Sequence, residues 1–317
     1  MRKGSCPGCG SQEVAARRFA TASEDDRPYE LLRCASCGSE WLPEVPEPAE
    51  LSSLYEAGAY GPSAGLLDHV VEPVRKLMDR DRMRLIGRLP VGARVIEVGA
   101  GRGRTLKAMQ ARGHDAVGIE PALSSSRAAE TGGVRVASVG VEDAVFPAGQ
   151  ADLVIFWHVV EHLVEPRLAL ERARDWLAPW GRVVIAVPNR DSFQARLGGD
   201  RWFHQDVPRH LSQFGPRGID ALLARSGFRR TSTRQLMVDQ NVPGMWLTLL
   251  NLVTSARDVP FRLLKRDLEY DCRWDALRDA VVAPIAGLVL LPVAVMLELA
   301  AGLTRRGGTL VVHAEPT

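Results

Sequence analysis

Two cysteine pairs open the chain, Cys6-Pro7-Gly8-Cys9 and Cys34-Ala35-Ser36-Cys37, with 24 residues between them. A C-x2-C turn presents two thiolates from one tight bend, and two such turns supply the four sulfurs of a tetrahedral zinc ion. Gly10 and Gly38 follow the second cysteine of each pair and supply the positive φ such turns use. A shell closed by Cys6, Cys9, Cys34 and Cys37 leaves no open coordination position, so the expected role of the zinc is structural. The fifth cysteine, Cys272, reads as a buried small hydrophobe.

A second group of residues could hold a ligand at a strand end. In VIEVGAGRG (95–103), Gly99, Ala100, Gly101 and Gly103 let the backbone turn sharply and lie against a ligand at a helix N-terminus. The dinucleotide fingerprint would need glycine at 104, where this chain has Arg104. Glu97, two residues before the first glycine, would repel a pyrophosphate but welcome a cation. Glu120 closes the next strand, where a carboxylate accepts hydrogen bonds from ribose hydroxyls. Histidines form the third group. His158, Glu161 and His162 stand at i, i+3 and i+4 and would share a helical face, and His204 and His210 fall in RWFHQDVPRHLSQF (201–214). Histidine is the usual general base near neutral pH.

The elements that must position these groups follow from periodicity. Short β runs over 13–20 and 29–33 complete a zinc ribbon, and the proline-rich 41–48 reads as a linker. Apolar residues at helical intervals over 66–89 predict one or two helices. From 93 onward strands (94–98, 116–120, 134–138, 153–157, 181–187) alternate with helices (104–112, 124–131, 164–177), which implies a parallel sheet with right-handed crossovers. A helix over 215–226 and strands over 228–238 and 308–314 follow.

The run 95–103, Glu120, DLVIFWHVVEHL (152–163) and GRVVIAVPN (181–189) together resemble a class I S-adenosylmethionine-dependent methyltransferase. The resemblance is to the branch holding the ubiquinone-pathway O-methyltransferases and many sugar and natural-product methyltransferases. It implies an α/β fold: a Rossmann-like seven-stranded sheet whose last strand runs antiparallel between the fifth and sixth. It also implies S-adenosylmethionine as cofactor. Glu97 would lie near the methionine ammonium, Gly99, Ala100, Gly101 and Gly103 under the ligand, and Glu120 and Pro121 at the ribose. Glu142 and Asp143 would stand on the adenine side, although the family's usual spacing puts Gly140 there. Trp157 and His158 would close the fourth strand at the crevice. His158, His204 and His210 are the candidates for positioning or deprotonating the acceptor. Glu161 and His162 resemble a Glu-His pair that holds a divalent metal in some ubiquinone-pathway enzymes. The further carboxylate of those sites is not evident, so capping and pinning a helix is the favoured role.

The expected organisation is a zinc ribbon (1–48), a linker and helical lead-in (49–92), the cofactor-binding domain (93–238), an apolar helical insertion (239–306) and a final strand (307–317). Within the insertion, 281–303 holds one charge, Glu298, and 242–253 is a second apolar stretch. Pro284, Gly287 and Pro292 interrupt the first stretch, so an in-plane or re-entrant pair of helices is expected. Arg257, Arg262, Lys265, Arg266, Arg305 and Arg306 would meet anionic headgroups. A homodimer or substrate lid is the alternative use of these helices.

Composition bounds the function classes. The 317 residues are 46% hydrophobic and 25% charged, enough for a buried core, and carry a formal net charge of +2. Lysine occurs only at 3, 76, 107 and 265, leaving 36 scattered arginines, a skew that reads as coding bias. This charge balance gives no global field for nucleic acid. Met1-Arg2-Lys3-Gly4 leads straight to Cys6 without an apolar stretch, so a cytoplasmic enzyme is expected, peripheral at the inner membrane face if the insertion touches lipid. The expected acceptor is a small molecule or glycan, methylated at oxygen. A zinc-ribbon RNA base methyltransferase and a non-catalytic scaffold of the same fold are the other readings.

Overall fold

The computed structural model describes residues 4–22, 27–47, 49–51, 68–265, 268, 270 and 272–317. Residues 52–67 of the expected lead-in and Arg266 of the expected basic set lie outside these. Helix α1 (Asp68–Ile86) leads into a sheet of seven strands. Five are parallel: β4 (Arg94–Val98), β5 (Asp115–Ile119), β6 (Val136–Ala137), β7 (Ala151–Trp157) and β8 (Leu177–Pro188). The spatial order is β10–β11–β8–β7–β4–β5–β6. The last strand, β11 (Thr309–Pro316), runs antiparallel to both β8 and β10 (Phe228–Arg234). That is the sheet the sequence predicts.

The crossovers follow local sequence. Helix α2 (Arg104–Gln110) starts at Gly103, whose φ of 73° only glycine takes without strain, and α4 (Pro166–Trp176) has proline in its first turn. Helix α3 (Leu123–Thr131) lies between them. Strand β7, flanked by β4 and β8, is covered on both faces, which is why 151–157 is nearly all apolar and buried.

The cysteine-bearing unit is a hairpin of β1 (Val14–Thr21) and β2 (Pro28–Cys34) plus the short β3 (Glu40–Trp41). It is not tethered by a free linker. Strand β3 pairs with β9 (Ser212–Gln213), the Leu42 amide donates to the Leu211 carbonyl at 3.1 Å, and Trp41 and Leu42 are buried. Trp41 and Leu42, just ahead of the prolines, are core residues, and Val45 between the prolines is partly buried. Glu40 is buried between Arg18 (2.6 Å) and Arg190 (3.0 Å). Burial alone would raise its carboxyl, but the two guanidiniums hold it below the usual carboxylate range. Cys272, expected to be buried, is exposed.

The segment after β10 forms α7 (Asn241–Asn251), α8 (Val259–Lys265) and α9 (Arg273–Leu303); α5 (Phe193–Gly198) and α6 (Pro216–Arg225) precede it. Pro284 and Pro292 do not interrupt α9, which runs through both as one 31-residue helix. Each internal proline costs about 3 kcal/mol. Packing against the protein offsets this: Ala283, Gly287, Ala294 and Ala301 are inward, and Trp246 Nε1 on α7 donates to the Gly287 carbonyl at 2.8 Å. Glu298, costly if set in lipid, is buried instead in protein. It accepts from Gln194 Nε2 at 2.5 Å and from the Gly308 amide at 3.3 Å.

Candidate active site

Strands β4, β5 and β7 end side by side, and Glu97, the loop 99–103, Glu120, Trp157 and His158 stand at or next to their carboxyl ends. Glu97, one residue before the end of β4, is buried with hydrogen bonds from Thr105 and the Leu106 amide. Burial pushes its carboxyl up to about 7 against the opposing pull of Arg82, and Oε2 has no partner among the described residues. Gly99, Gly101 and Gly103 all have positive φ. A Cβ at Gly99 would lie 2.5 Å from Val159 Cγ2, whereas one at Gly101 would meet open space. Glu120 bridges the loops, accepting from the Gly101 amide at 2.9 Å and the Ala122 amide at 3.0 Å. Each oxygen keeps a second lone pair for a ligand. Ala100 is buried, with its Cβ filling the space above Gly118, and Pro121 is exposed at the rim. Glu142 and Asp143 are both exposed, with the Glu142 carboxylate lying over Gly140.

Sequence reasoning missed Arg82. From α1 it pairs with Asp239 at 2.6 Å, donates to Thr105 Oγ1 at 3.1 Å and lies 4.9 Å above the Trp157 ring. It thereby walls the Glu97 side of the crevice. Nothing local distinguishes it among 36 arginines. The partners Asp239 and Thr105 were equally unmarked.

The histidines form one cluster on the other side. His158 takes φ 55°, a left-handed conformation that ends β7 and breaks any helix through 158–162. Glu161 and His162 instead sit on a single 3₁₀ turn (Val160–His162), so the expected shared helical face is absent. Nor does Glu161 cap a helix. His158 Nδ1 lies 3.2 Å from Glu161 Oε1. His158 Nε2 and Glu161 Oε2 are buried without a described partner. Burial would raise the Glu161 carboxyl, yet the His158 hydrogen bond and the charges of three imidazoles draw it down to about 2. The His204 ring stacks 6.1 Å from His158, and burial, helped by His158 and His210, pushes it down to about 3. His210 Nδ1 bonds the His204 carbonyl at 2.8 Å, and His162 Nδ1 bonds the Arg209 carbonyl at 2.9 Å. Burial, then His210, lowers His162 to about 4. Asp206, paired with Arg209 at 2.6 Å, is lowered despite its burial.

At the far end, the sulfurs of Cys6, Cys9, Cys34 and Cys37 lie within 4.8 Å of one another, with the closest pairs at 3.4 and 3.5 Å. A tetrahedron with 2.3 Å metal–sulfur bonds has edges of about 3.8 Å, so the set fits zinc.

Residues 70–233 match the family described as Methyltransferase domain, which is more than half of the chain. The chain belongs to this methyltransferase family. It is similar to a ubiquinone biosynthesis O-methyltransferase of Azorhizobium caulinodans, 26% identical over 245 residues, covering 71% of this chain and 90% of that protein. Against a second of that name from Cereibacter sphaeroides it is 30% identical over 152 residues, 45% of this chain and 60% of that one. Its fold is similar to a chain of the complex between the Haloferax volcanii Trm112 methyltransferase activator and a methyltransferase, with TM-score 0.51, 13% identity and coverage of 84% and 97%. It is similar too to the cyclase SpnF, with TM-score 0.50, 15% identity and coverage of 86% and 98%.

This is an S-adenosylmethionine-dependent methyltransferase, and its crevice fits that cofactor. A buried carboxylate oxygen without a partner suits an ammonium. The open space above Gly101 suits a ligand lying on the loop. A carboxylate with spare lone pairs at the end of β5 suits a ribose diol.

Proposed function

We propose that this methyltransferase methylates a hydroxyl oxygen of a small or lipid- or glycan-linked acceptor, with His158 as general base. The observation that carries the reading is the state of the His158 ring. Nδ1 is engaged by Glu161, so the imidazole is held in the tautomer that leaves Nε2 bare, and Nε2 is buried beside Trp157 with no described partner. Bound S-adenosylmethionine supplies the electrophilic methyl group. His158 takes the acceptor's hydroxyl proton as the oxygen attacks. The His158 imidazolium would then lose the proton to solvent, the methyl donor's neutral thioether being the leaving group. Glu97 would hold the ammonium and Glu120 the ribose, with the loop 99–103 beneath and Glu142 and Asp143 toward the adenine. His204, held near 3, is too weakly basic for the task and shapes the acceptor side instead. Oxygen as the target is supported by the relatives' names, and zinc on the four cysteines by their sulfur spacing.

The test is His158→Gln, assayed with labelled S-adenosylmethionine on hydroxylated prenylphenols and prenyl-linked sugars. We expect kcat to fall about 100-fold or more with S-adenosylhomocysteine affinity unchanged. Unaltered turnover would remove His158 as base.

One observation favours a second reading, a divalent cation on Glu161, His162 and His210. Each offers a donor atom and all lie within 4.8 Å. Backbone carbonyls hold both Nδ1 atoms, so Nε2 would be the ligating atom of each ring, with Asp206 Oδ2 3.7 Å from that of His210. A cation there would acidify the acceptor hydroxyl. Its signature is turnover lost to a chelator and restored by Mg²⁺, with cofactor affinity constant; chelator-insensitive turnover excludes it.

A further inference from the structure

Helix α9 carries apolar side chains that the protein does not cover. Trp274, Leu277, Val281, Ile285, Leu288, Met296, Leu299 and Leu303 are all exposed, Leu288 by 78%, and they follow one another at helical spacing. The opposite face is committed to protein. Asp279 accepts from the Ser255 and Ala256 amides at 2.8 and 2.9 Å, and Glu298 is buried against Gln194 and Gly308. A helix so fastened along one side lies flat and presents the other. It is also about 46 Å long at 1.5 Å per residue, more than a hydrocarbon core of about 30 Å requires. The chain then returns directly to β11 in the sheet.

At its C-terminal end the stripe runs into a groove of about 660 Å³ lined by Arg84, Arg230, Arg234 and Arg305, with Leu303 belonging to both. Arg84 pairs with Asp81 and Arg230 with Asp220, while Arg234 and Arg305 make no ion pair among the described residues. Three elements distant in sequence, α1, β10 and the end of α9, thus converge four exposed guanidiniums where an exposed apolar surface stops. Guanidinium forks match phosphate oxygens, and an apolar face bordered by them has the charge layout of an anionic membrane surface.

We propose that α9 docks the protein flat on an anionic lipid bilayer, with the stripe in the acyl boundary and the four-arginine groove on lipid phosphates. This inference is independent of which acceptor is methylated. Helix α7 lies between α9 and the histidine cluster, and Gly244 on α7 packs so close to His204 that a Cβ there would lie 2.5 Å from its Nε2. Docking therefore places the acceptor side two helices from lipid.

The test is flotation of the full-length protein with vesicles of phosphatidylglycerol and phosphatidylcholine, and with phosphatidylcholine alone. The wild type floats with the anionic vesicles and far less with the neutral ones. Arg230→Glu/Arg234→Glu lowers the anionic partition about 25-fold or more, about fivefold per arginine. Ile285→Asp/Leu288→Asp abolishes flotation on both. All are exposed positions, so melting temperature and S-adenosylhomocysteine binding stay as in the wild type. A wild type that ignores both vesicles overturns the proposal, as does an arginine variant that floats like wild type. Light scattering that finds a dimer split by Leu288→Asp, in protein that ignores vesicles, gives the stripe to a second copy and also overturns it.

Discussion

Glu97 ties cofactor affinity to pH in a way the structure makes quantitative. Burial, opposed by Arg82, places its carboxyl at about 7 against an ordinary value of 4.5. A bound ammonium needs the ionised form, so binding expels a proton wherever the free protein still carries one. The ionised fraction falls from about 0.9 at pH 8 to about 0.1 at pH 6, and the Kd for S-adenosylhomocysteine should rise about tenfold over that interval. The sign for stability is opposite. A carboxyl with a raised folded value favours the folded state in its protonated form, so the free protein loses up to about 3 kcal/mol as pH climbs from 4.5 to about 7. Glu97→Gln removes both dependences. It also weakens binding roughly 10- to 100-fold at pH 8, the worth of a hydrogen bond to a charged group. Calorimetry at pH 6, 7 and 8, in two buffers of different ionisation enthalpy, reads affinity and proton release together. We expect about half a proton released at pH 7. Binding by folded wild-type protein that is flat from pH 6 to 8, or a Glu97→Gln variant with the wild-type slope, would refute the reasoning.

The glycine loop separates fold from function. Gly99→Ala should cost about 3 kcal/mol and lower Tm by several degrees, because a strained φ is compounded by the Val159 clash. Gly101→Ala should cost only about 1 kcal/mol while lowering cofactor affinity at least tenfold, since its Cβ enters open space where the ligand lies; thermal melts and calorimetry on both variants check the contrast. Removing metal from the four cysteines should raise hydrogen exchange at 40–42 and across 203–213 and lower turnover. Cofactor affinity should stay within twofold, and unchanged exchange at 203–213 would disprove that coupling.

What was legible in the sequence had local signatures. The glycines, Glu97 and Glu120 stand at spacings set by one strand–turn–helix unit, and each cysteine pair is contained in one turn. What was hidden depends on partners far along the chain. Arg82 matters only because Asp239 and Trp157 come to it from 157 and 75 residues away. Trp41 and Leu42 read as linker because the strand that buries them, β9, lies 170 residues on. The prolines of α9 argue locally for a break, and the packing of Gly287 under Trp246 overrides them. The histidines were found by residue type, but His158 adopts a left-handed backbone that no helical spacing anticipates.

The two sides of the crevice are held by different means. The cofactor side hangs on strand ends of the sheet, within the 70–233 span that the family shares. The histidine side is a loop of irregular turns over 199–211, which satisfies only part of its backbone internally and is clamped from outside. The ribbon grips it through the Leu42–Leu211 hydrogen bond and through Arg18, which donates to Gln205 at 2.8 Å. Helix α7 grips it through Thr248, which accepts from the Phe203 amide at 3.1 Å. Both clamps come from outside the shared span. The family match thus spans the strand ends of the crevice, while the histidine loop is held by residues that lie outside 70–233.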